Sequence, residues 1–240
     1  DFDWRMAFIV PGVTSIMIGV GYAQFVKRSQ IEQLEAIARE KEMIGFAPGW
    51  KRALCALTLI TAAGGFIFGT ITFVIPRMFE VSLSEITVDV ATTGMLAALV
   101  FAVASFAQLV TGRIVDRHQV RPILMTVALG QPVFIGLMAL QTDYALFFAT
   151  LLALAFIFGQ VPITDAVLSR DVPDEWRAKT LSFKFLLNLI IGALALLCAR
   201  YILGAGGGFG MVMAVTAGSA VMIVIGALLL PTQAQGERLA

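Results

Sequence analysis

Seven long apolar runs divide the chain, and each has the length of a membrane-spanning helix. A bilayer core about 30 Å thick requires about 20 predominantly apolar residues per helix. The runs are continuous, whereas the strands of a membrane barrel alternate between apolar and polar residues. We therefore predict an all-α membrane protein with seven transmembrane helices, which cover residues 5–26, 53–79, 88–111, 121–140, 144–168, 179–202 and 209–230.

The composition supports a membrane protein. Hydrophobic residues make up 59% of the 240 residues and charged residues only 14%, compared with about 25% charged residues in soluble proteins. Cys55 and Cys198 both lie in apolar runs, so we expect no disulfide. The first residues, DFDWRMAFIV, lack the basic start and the cleavage site of a signal peptide. We expect that the chain begins within a longer protein.

Positive charge is concentrated on one side of the predicted membrane. Of the 17 lysine and arginine residues, all but Arg5, Arg77 and Arg200 lie in or near the loops of one face. Cytoplasmic loops carry such an excess of lysine and arginine. This pattern predicts an N-terminus outside the cytoplasm and a C-terminus inside it.

One long polar segment, residues 27–52, separates the first span from the other six. Ile31, Leu34, Ile37 and Ala38 recur at helical spacing, which is typical of a short amphipathic helix. A solvated linker is the alternative. In either case the segment predicts a boundary between residues 1–26 and a six-helix domain at residues 53–240.

The last six spans contain a weak internal repeat. The tetrapeptide FIFG occurs at residues 66–69 and again at 156–159, and the same shift places the third and fourth spans on the sixth and seventh. Because an odd number of spans separates the copies, the two triplets are expected to have opposite orientations in the membrane. Many secondary transporters have inverted repeats of this kind.

The short basic segment TGRIVDRHQVRP, residues 111–122, carries a family resemblance. Gly112, Asp116, Arg117 and Arg121 match the GxxxDRxGR(R/K) turn of the major facilitator superfamily, while Gln119 and Val120 differ from it. The segments DWRMAFIVPG (3–12), 27–52 and VPDEWRAKTLSF (172–183) also resemble successive parts of that family. The chain is similar to spans six to twelve of its twelve.

The resemblance implies an architecture and a function. Residues 1–26 would be the last helix of a missing N-terminal half, residues 27–52 a cytoplasmic linker, and residues 53–240 a 3+3 inverted-repeat half. The chain would belong to a secondary active transporter of a small solute that works by alternating access, driven by a proton or ion gradient. Its expected partners are the lipid bilayer, the solute and the missing half, and its expected location is a bacterial inner membrane. Neither a cofactor nor a metal nor a catalytic residue is expected.

The basic turn has the chemistry of a cytoplasmic gate. Its arginines can bind carboxylates at neighbouring helix ends, and contacts made only in the closed state would favour that state. The predicted gating turn comprises Gly112, Arg113, Asp116, Arg117 and Arg121, and its predicted partners are Asp165, Arg170 and Arg177. Asp165 is expected to pair with Arg113 or Arg117, or else to carry a proton. Alternatively, the arginines only set the topology.

Polar residues inside apolar spans are candidates for a solute path, because buried charge in a membrane is costly. Lys184 and Asn188 share a helix face, and the lysine either reaches for the membrane surface or lines a cavity that attracts an anion. The predicted path consists of Thr61, Phe68, Thr72, Gln160, Thr164, Lys184 and Asn188.

Other functions fit the sequence less well. A non-transporting seven-helix receptor or scaffold is the main alternative, since DRH (116–118) is similar to the DRY of receptors. A retinal protein needs a lysine in its last span, and residues 209–230 contain no charge. Motifs of enzymes, such as a nucleophile elbow or a phosphate loop, do not occur. We expect neither an enzyme nor a nucleic-acid-binding protein.

Overall fold

The described residues form seven long helices. The computed structural model describes residues 5–28, 49–83 and 89–230. The helices are α1 (Met6–Arg28), α2 (Trp50–Ser82), α3 (Val90–Val115), α4 (Val120–Met138), α5 (Asp143–Asp171), α6 (Asp174–Gly204) and α7 (Phe209–Leu229). All seven are long and apolar enough to cross a membrane, so the predicted spans are confirmed. The chain is an integral, multi-pass membrane protein.

The helix α1 belongs to a separate unit of the chain, which ends at Ile44. Its described side chains are exposed, and Thr14 donates to the carbonyl of Val10 one turn earlier at 2.8 Å. The amphipathic helix predicted between residues 27 and 52 falls on residues 29–48, which lie outside the described residues.

The six helices α2 to α7 form two triplets with matching contacts. The helix α2 packs most extensively on α6 and α7, while α5 packs most extensively on α3 and α4. Exchanging α2, α3 and α4 with α5, α6 and α7 converts one set of contacts into the other. Phe68 and Phe158 are equivalent in the two FIFG segments, and their ring centroids are 6.1 Å apart. Such a short distance is expected for equivalent residues that lie near a twofold axis. The predicted 3+3 arrangement is confirmed.

The helices α2 and α5 occupy the centre of the six-helix unit. In an apolar stretch of 18 residues in each of them, 56% of the residues are buried, compared with 6% in the equivalent stretch of α6. The largest fully buried side chains of α2 include Ile60, Ile67, Ile71 and Phe79. Polar groups on these central helices must therefore find partners within the protein, because lipid offers none.

Close contact between α2 and α6 depends on glycine. A Cβ added at Gly69 would lie 2.6 Å from the Cα and carbonyl oxygen of Gly192, and one at Gly65 would lie 2.7 Å from the carbonyl oxygen of Asn188. Small residues four apart allow membrane helices to approach backbone to backbone. Gly65 is consequently a packing residue that faces α6.

Candidate functional site

A charged cluster lies within the six-helix unit, where α5 meets α6. Lys184 Nζ donates to Asp165 Oδ1 at 2.5 Å and to Thr164 Oγ1 at 2.9 Å. The side chain of Lys184 is only 16% exposed and that of Asp165 is 47% exposed. At 1.5 Å per residue, Lys184 lies about 15 Å along α6 from Asp174. Its charge is therefore balanced by the carboxylate of Asp165.

The local sequence of α5 explains the position of the cluster. Pro162 lacks an N–H group and weakens the helix one turn before Asp165. Thr164 donates its hydroxyl proton to the carbonyl of Val161 at 2.9 Å, so its oxygen is free to accept from Lys184. In this structure Asp165 binds the ammonium of Lys184 on α6, and its predicted pairing with Arg113 or Arg117 stays a prediction.

A small cleft opens beside Lys184 between α2, α5 and α6. Its volume is about 270 Å³ including the open mouth. Besides Lys184 and apolar side chains, Thr58, Thr61 and Thr180 line it. Thr58 and Thr180 donate to carbonyls one turn earlier in their helices, at 2.8 and 3.0 Å. The cleft thus combines one cation with hydroxyl oxygens and an apolar wall.

The other residues of the predicted path lie elsewhere. Phe68 is 43% exposed and contacts Phe158, while the buried hydroxyl of Thr72 has no hydrogen-bond partner among the described residues. Asn188 packs its backbone against Gly65. Of the predicted path, only Thr61, Thr164 and Lys184 meet in one place.

Gln160 belongs to a buried junction of three helices. Gln131 on α4 donates its side-chain amide to Gln160 Oε1 at 2.6 Å, and the two residues are 1% and 8% exposed. The Nε2 atom of Gln160 lies 3.1 Å from the position of a Cβ at Gly64 on α2. Gln160 therefore connects α2, α4 and α5 and does not line the cleft. The sequence pattern did not point to Gln131, whose only signal was an amide inside an apolar span.

Removing one member of this amide pair should destabilise the protein. In Gln160→Met the amide of Gln131 loses its close acceptor at 2.6 Å and keeps only the carbonyl of Phe156 at 3.5 Å. A poorly satisfied buried polar group costs about 1–3 kcal/mol. Gln131→Met should have a similar effect. The double variant should lose less than the sum, because both polar groups are gone. Thermal unfolding in detergent measures all three, and additive losses would contradict the pairing.

Two of the predicted gating residues, Arg121 and Arg177, stabilise helix ends. Arg121 donates to the carbonyl of Leu228 in the last turn of α7 at 3.4 Å, and Arg177 donates to the carbonyl of Ser169 in the last turn of α5 at 2.7 Å. These carbonyls have no partner within their own helices. Arg170 binds its neighbour Asp171 at 2.6 and 3.1 Å.

The turn itself does not form the predicted close contact. Outside its own stretch of α3, no described atom lies within 4 Å of a Cβ placed on Gly112, and the backbone N–H of Asp116 closes the last turn of α3. The side chains of Arg113, Asp116 and Arg117 are exposed. Within the residues described, the turn and Asp165 are therefore not joined into one gate.

A helix cap lies at the opposite end of α3. Asp89 accepts a hydrogen bond from the backbone N–H of Thr92 at 2.7 Å. Hydrogen bonds from the side chain and then the backbone of Thr92 hold the pKa of Asp89 below its ordinary value of 3.8. The cap is therefore ionised at neutral pH, and its contribution to stability is lost only as the pH falls through that lowered value.

Comparison with known proteins identifies the fold. No family model matches the sequence, and no curated protein matches it. Among solved structures, the Escherichia coli fucose:proton symporter matches with a TM-score of 0.61, over 85% of this chain and 46% of that one. The chain has the major facilitator fold. At 17% identity the likeness concerns the fold alone, and the chain spans about half the length of that symporter.

The major facilitator fold accounts for the exchange symmetry of the six helices. The expectation drawn from the basic turn and the order of the spans is thereby confirmed at the level of fold. In folds of this type, sites for solutes and ions lie near the interface of the repeats. Thr164, Asp165 and Lys184 lie where α5, the first helix of the second triplet, meets α6, next to the central helix α2.

Proposed function

We propose that the chain is part of a secondary active transporter that moves a small solute by alternating access. Residues 53–240 form one half of it, residues 1–26 the last helix of the other half, and residues 27–52 the link between the halves. A bacterial cytoplasmic membrane is the proposed location. The similar symporter carries fucose together with a proton, so a gradient-driven carrier is the class of protein that this fold favours.

The observation that carries this proposal is the ion pair of Lys184 and Asp165 inside the helices, at 2.5 Å. A charged pair in a membrane span is costly to keep. A scaffold could meet its packing requirements with apolar residues alone, as buried ion pairs often add no stability over such replacements. A carrier, in contrast, needs polar groups within the membrane to bind its solute.

The gating turn fits the same proposal in a different way. Gly112 leaves open space and Arg113 and Arg117 are exposed, so this surface is available for contact with the other half. We propose that the turn closes the cytoplasmic side through that contact. Arg121 and Arg177 meanwhile hold the ends of α7 and α5 in position.

Labelling from both sides of the membrane tests alternating access without knowledge of the solute. In the full transporter, with Cys55→Ala and Cys198→Ala, a single cysteine is placed in the cleft by Thr58→Cys. A membrane-impermeant maleimide is then applied to right-side-out and to inside-out vesicles. Alternating access exposes a solute site to each side of the membrane in turn, and Thr58 lines the cleft, so labelling is expected in both preparations.

The matched control is Val221→Cys on α7, a position whose side chain is 47% exposed on the apolar surface of the unit. It should be labelled weakly from either side, because lipid covers it. Labelling of the Thr58→Cys protein from one side alone would contradict alternating access and favour a receptor or scaffold.

A further inference from the structure

The charge of the cleft indicates what it can bind. Its described lining contains one cation, Lys184, and no carboxylate. Asp165 binds Lys184 but is not part of the lining. Lys184 is therefore the only charged group of the described lining that a ligand in the cleft would meet.

The bonding of Lys184 leaves room for a further acceptor. An ammonium group has three N–H donors, and Thr164 and Asp165 accept two of them. Asp165 contacts Lys184 through Oδ1, and almost half of its side chain is exposed. A second carboxylate can therefore take the place of Asp165 on Lys184 without a movement of α5.

We propose that the cleft binds the carboxylate of a small organic anion on Lys184, and that Asp165 binds Lys184 when the cleft is empty. This inference rests on the proposed function and adds the class of solute to it. Replacing one carboxylate by another keeps the buried ammonium balanced throughout, which avoids the large cost of an unbalanced charge. The cleft is small, with a volume of about 270 Å³ that includes its open mouth, so the anion is small.

Binding of matched carboxylates and amides tests this proposal. The probes are acetate, lactate and succinate, with acetamide, lactamide and succinamide as their uncharged counterparts. Each is titrated into the purified full transporter in detergent, and affinity is obtained from thermal stabilisation, which follows the ratio of ligand concentration to Kd. At least one carboxylate should bind, and its amide should bind at least about tenfold more weakly.

Two neutral variants should change the affinity in opposite directions. Lys184→Gln removes the cation and should weaken carboxylate binding at least about tenfold. Asp165→Asn removes the carboxylate that competes for Lys184. Binding should tighten several-fold, because Lys184 is then available to the ligand in a larger fraction of the protein. If the ion pair had a purely structural role, both variants would be expected to weaken binding. Arg77→Gln, which removes a cation at the far end of α2, is the control and should leave the affinity unchanged.

Several outcomes would overturn the proposal. These are equal binding of a carboxylate and its amide, no binding of any of the three carboxylates, or weaker or unchanged binding in Asp165→Asn. The comparison of carboxylate with amide uses the unaltered protein, so it remains decisive even if a variant fails to fold.

An anionic lipid headgroup offers the same chemistry as a dissolved anion. Lactate, acetate or succinate, whichever binds, is therefore titrated again in phosphatidylcholine nanodiscs with and without phosphatidylglycerol. Equal affinity in both supports a dissolved solute, whereas loss of binding with phosphatidylglycerol assigns Lys184 to the headgroup and overturns the proposal. If labelling of Thr58→Cys is two-sided while carboxylate binding fails, only the solute class is wrong. One-sided labelling instead refutes the proposed function itself.

Discussion

Neutralising both members of the intramembrane ion pair should abolish most solute transport while the protein remains folded. In Lys184→Gln with Asp165→Asn, the aspartate keeps its size, the lysine is replaced by a shorter polar side chain, and no unbalanced charge is left behind. A hydrogen bond to a charged group contributes about 1.5–3 kcal/mol, and about 1.4 kcal/mol corresponds to a tenfold change in an equilibrium constant. Solute flux should therefore fall at least about tenfold.

The measurement is uptake into proteoliposomes that contain the full transporter. Radiolabelled sugars, small carboxylates and amino acids are compared, and the solute that the unaltered protein moves fastest is used for the variants. Arg77→Gln with Glu80→Gln removes an exposed ion pair at the other end of α2. Arg77 Nη1 lies 2.6 Å from Glu80 Oε2, and the two side chains are 63% and 42% exposed. Because exposed pairs contribute little, flux should be retained there. Equal flux in the two double variants would show that the ion pair of Lys184 and Asp165 does not take part in solute transport.

Gly69→Ala should cause a large loss of stability, although it adds only one methyl group. The new Cβ would lie 2.6 Å from the backbone of Gly192, and a backbone atom cannot rotate away as a side chain can. Overpacking of this kind costs about 1–3 kcal/mol. Because α6 is attached to the unit chiefly through α2, its dissociation is the first expected consequence, and it would also separate Lys184 from Asp165.

Gly218→Ala is the matched control for this effect. Gly218 also lies in the middle of a membrane helix, but no described atom outside its own stretch of α7 lies within 4 Å of an added Cβ. Alanine has the higher helix propensity by about 1 kcal/mol, so stability should be unchanged or slightly higher. Thermal unfolding in detergent compares the two variants, and a similar melting temperature for both would refute the close contact of α2 with α6.

The helices and their repeat could be predicted because their signals are local. Each span is a run of apolar residues, and the boundaries shift by only a few residues between sequence and structure, from 53–79 to Trp50–Ser82 in α2. The spacing of Gly65 and Gly69 is likewise typical of a close helix contact, since small residues on one face let two backbones approach. The sequence did not indicate that α6 is the helix in contact.

The partners of polar groups could not be predicted in the same way. Asp165 lies at a depth where an arginine of the basic turn is plausible, yet it binds Lys184 because α5 and α6 bring the two side chains together. Gln160 lies on the same stretch of α5 as Thr164, yet it joins Gln131 on α4. Two residues four apart on a helix, such as Gln160 and Thr164, lie on the same face. The residue that each one contacts is nevertheless decided by the irregularity at Pro162 and by the helices that cross α5 at each position.

The amino-acid sequence by itself determined that the chain crosses a membrane with seven helices, and that the last six consist of two similar triplets. The length of an apolar run and the positions of charges can be read directly from the sequence, so they can be found without knowing which helices pack together. Only the tertiary structure decided that Lys184, Asp165 and Thr164 share one cluster beside a cleft, and that Gln160 is a packing residue. Such contacts depend on where helices distant in sequence cross, which the close approach of backbones at glycine determines.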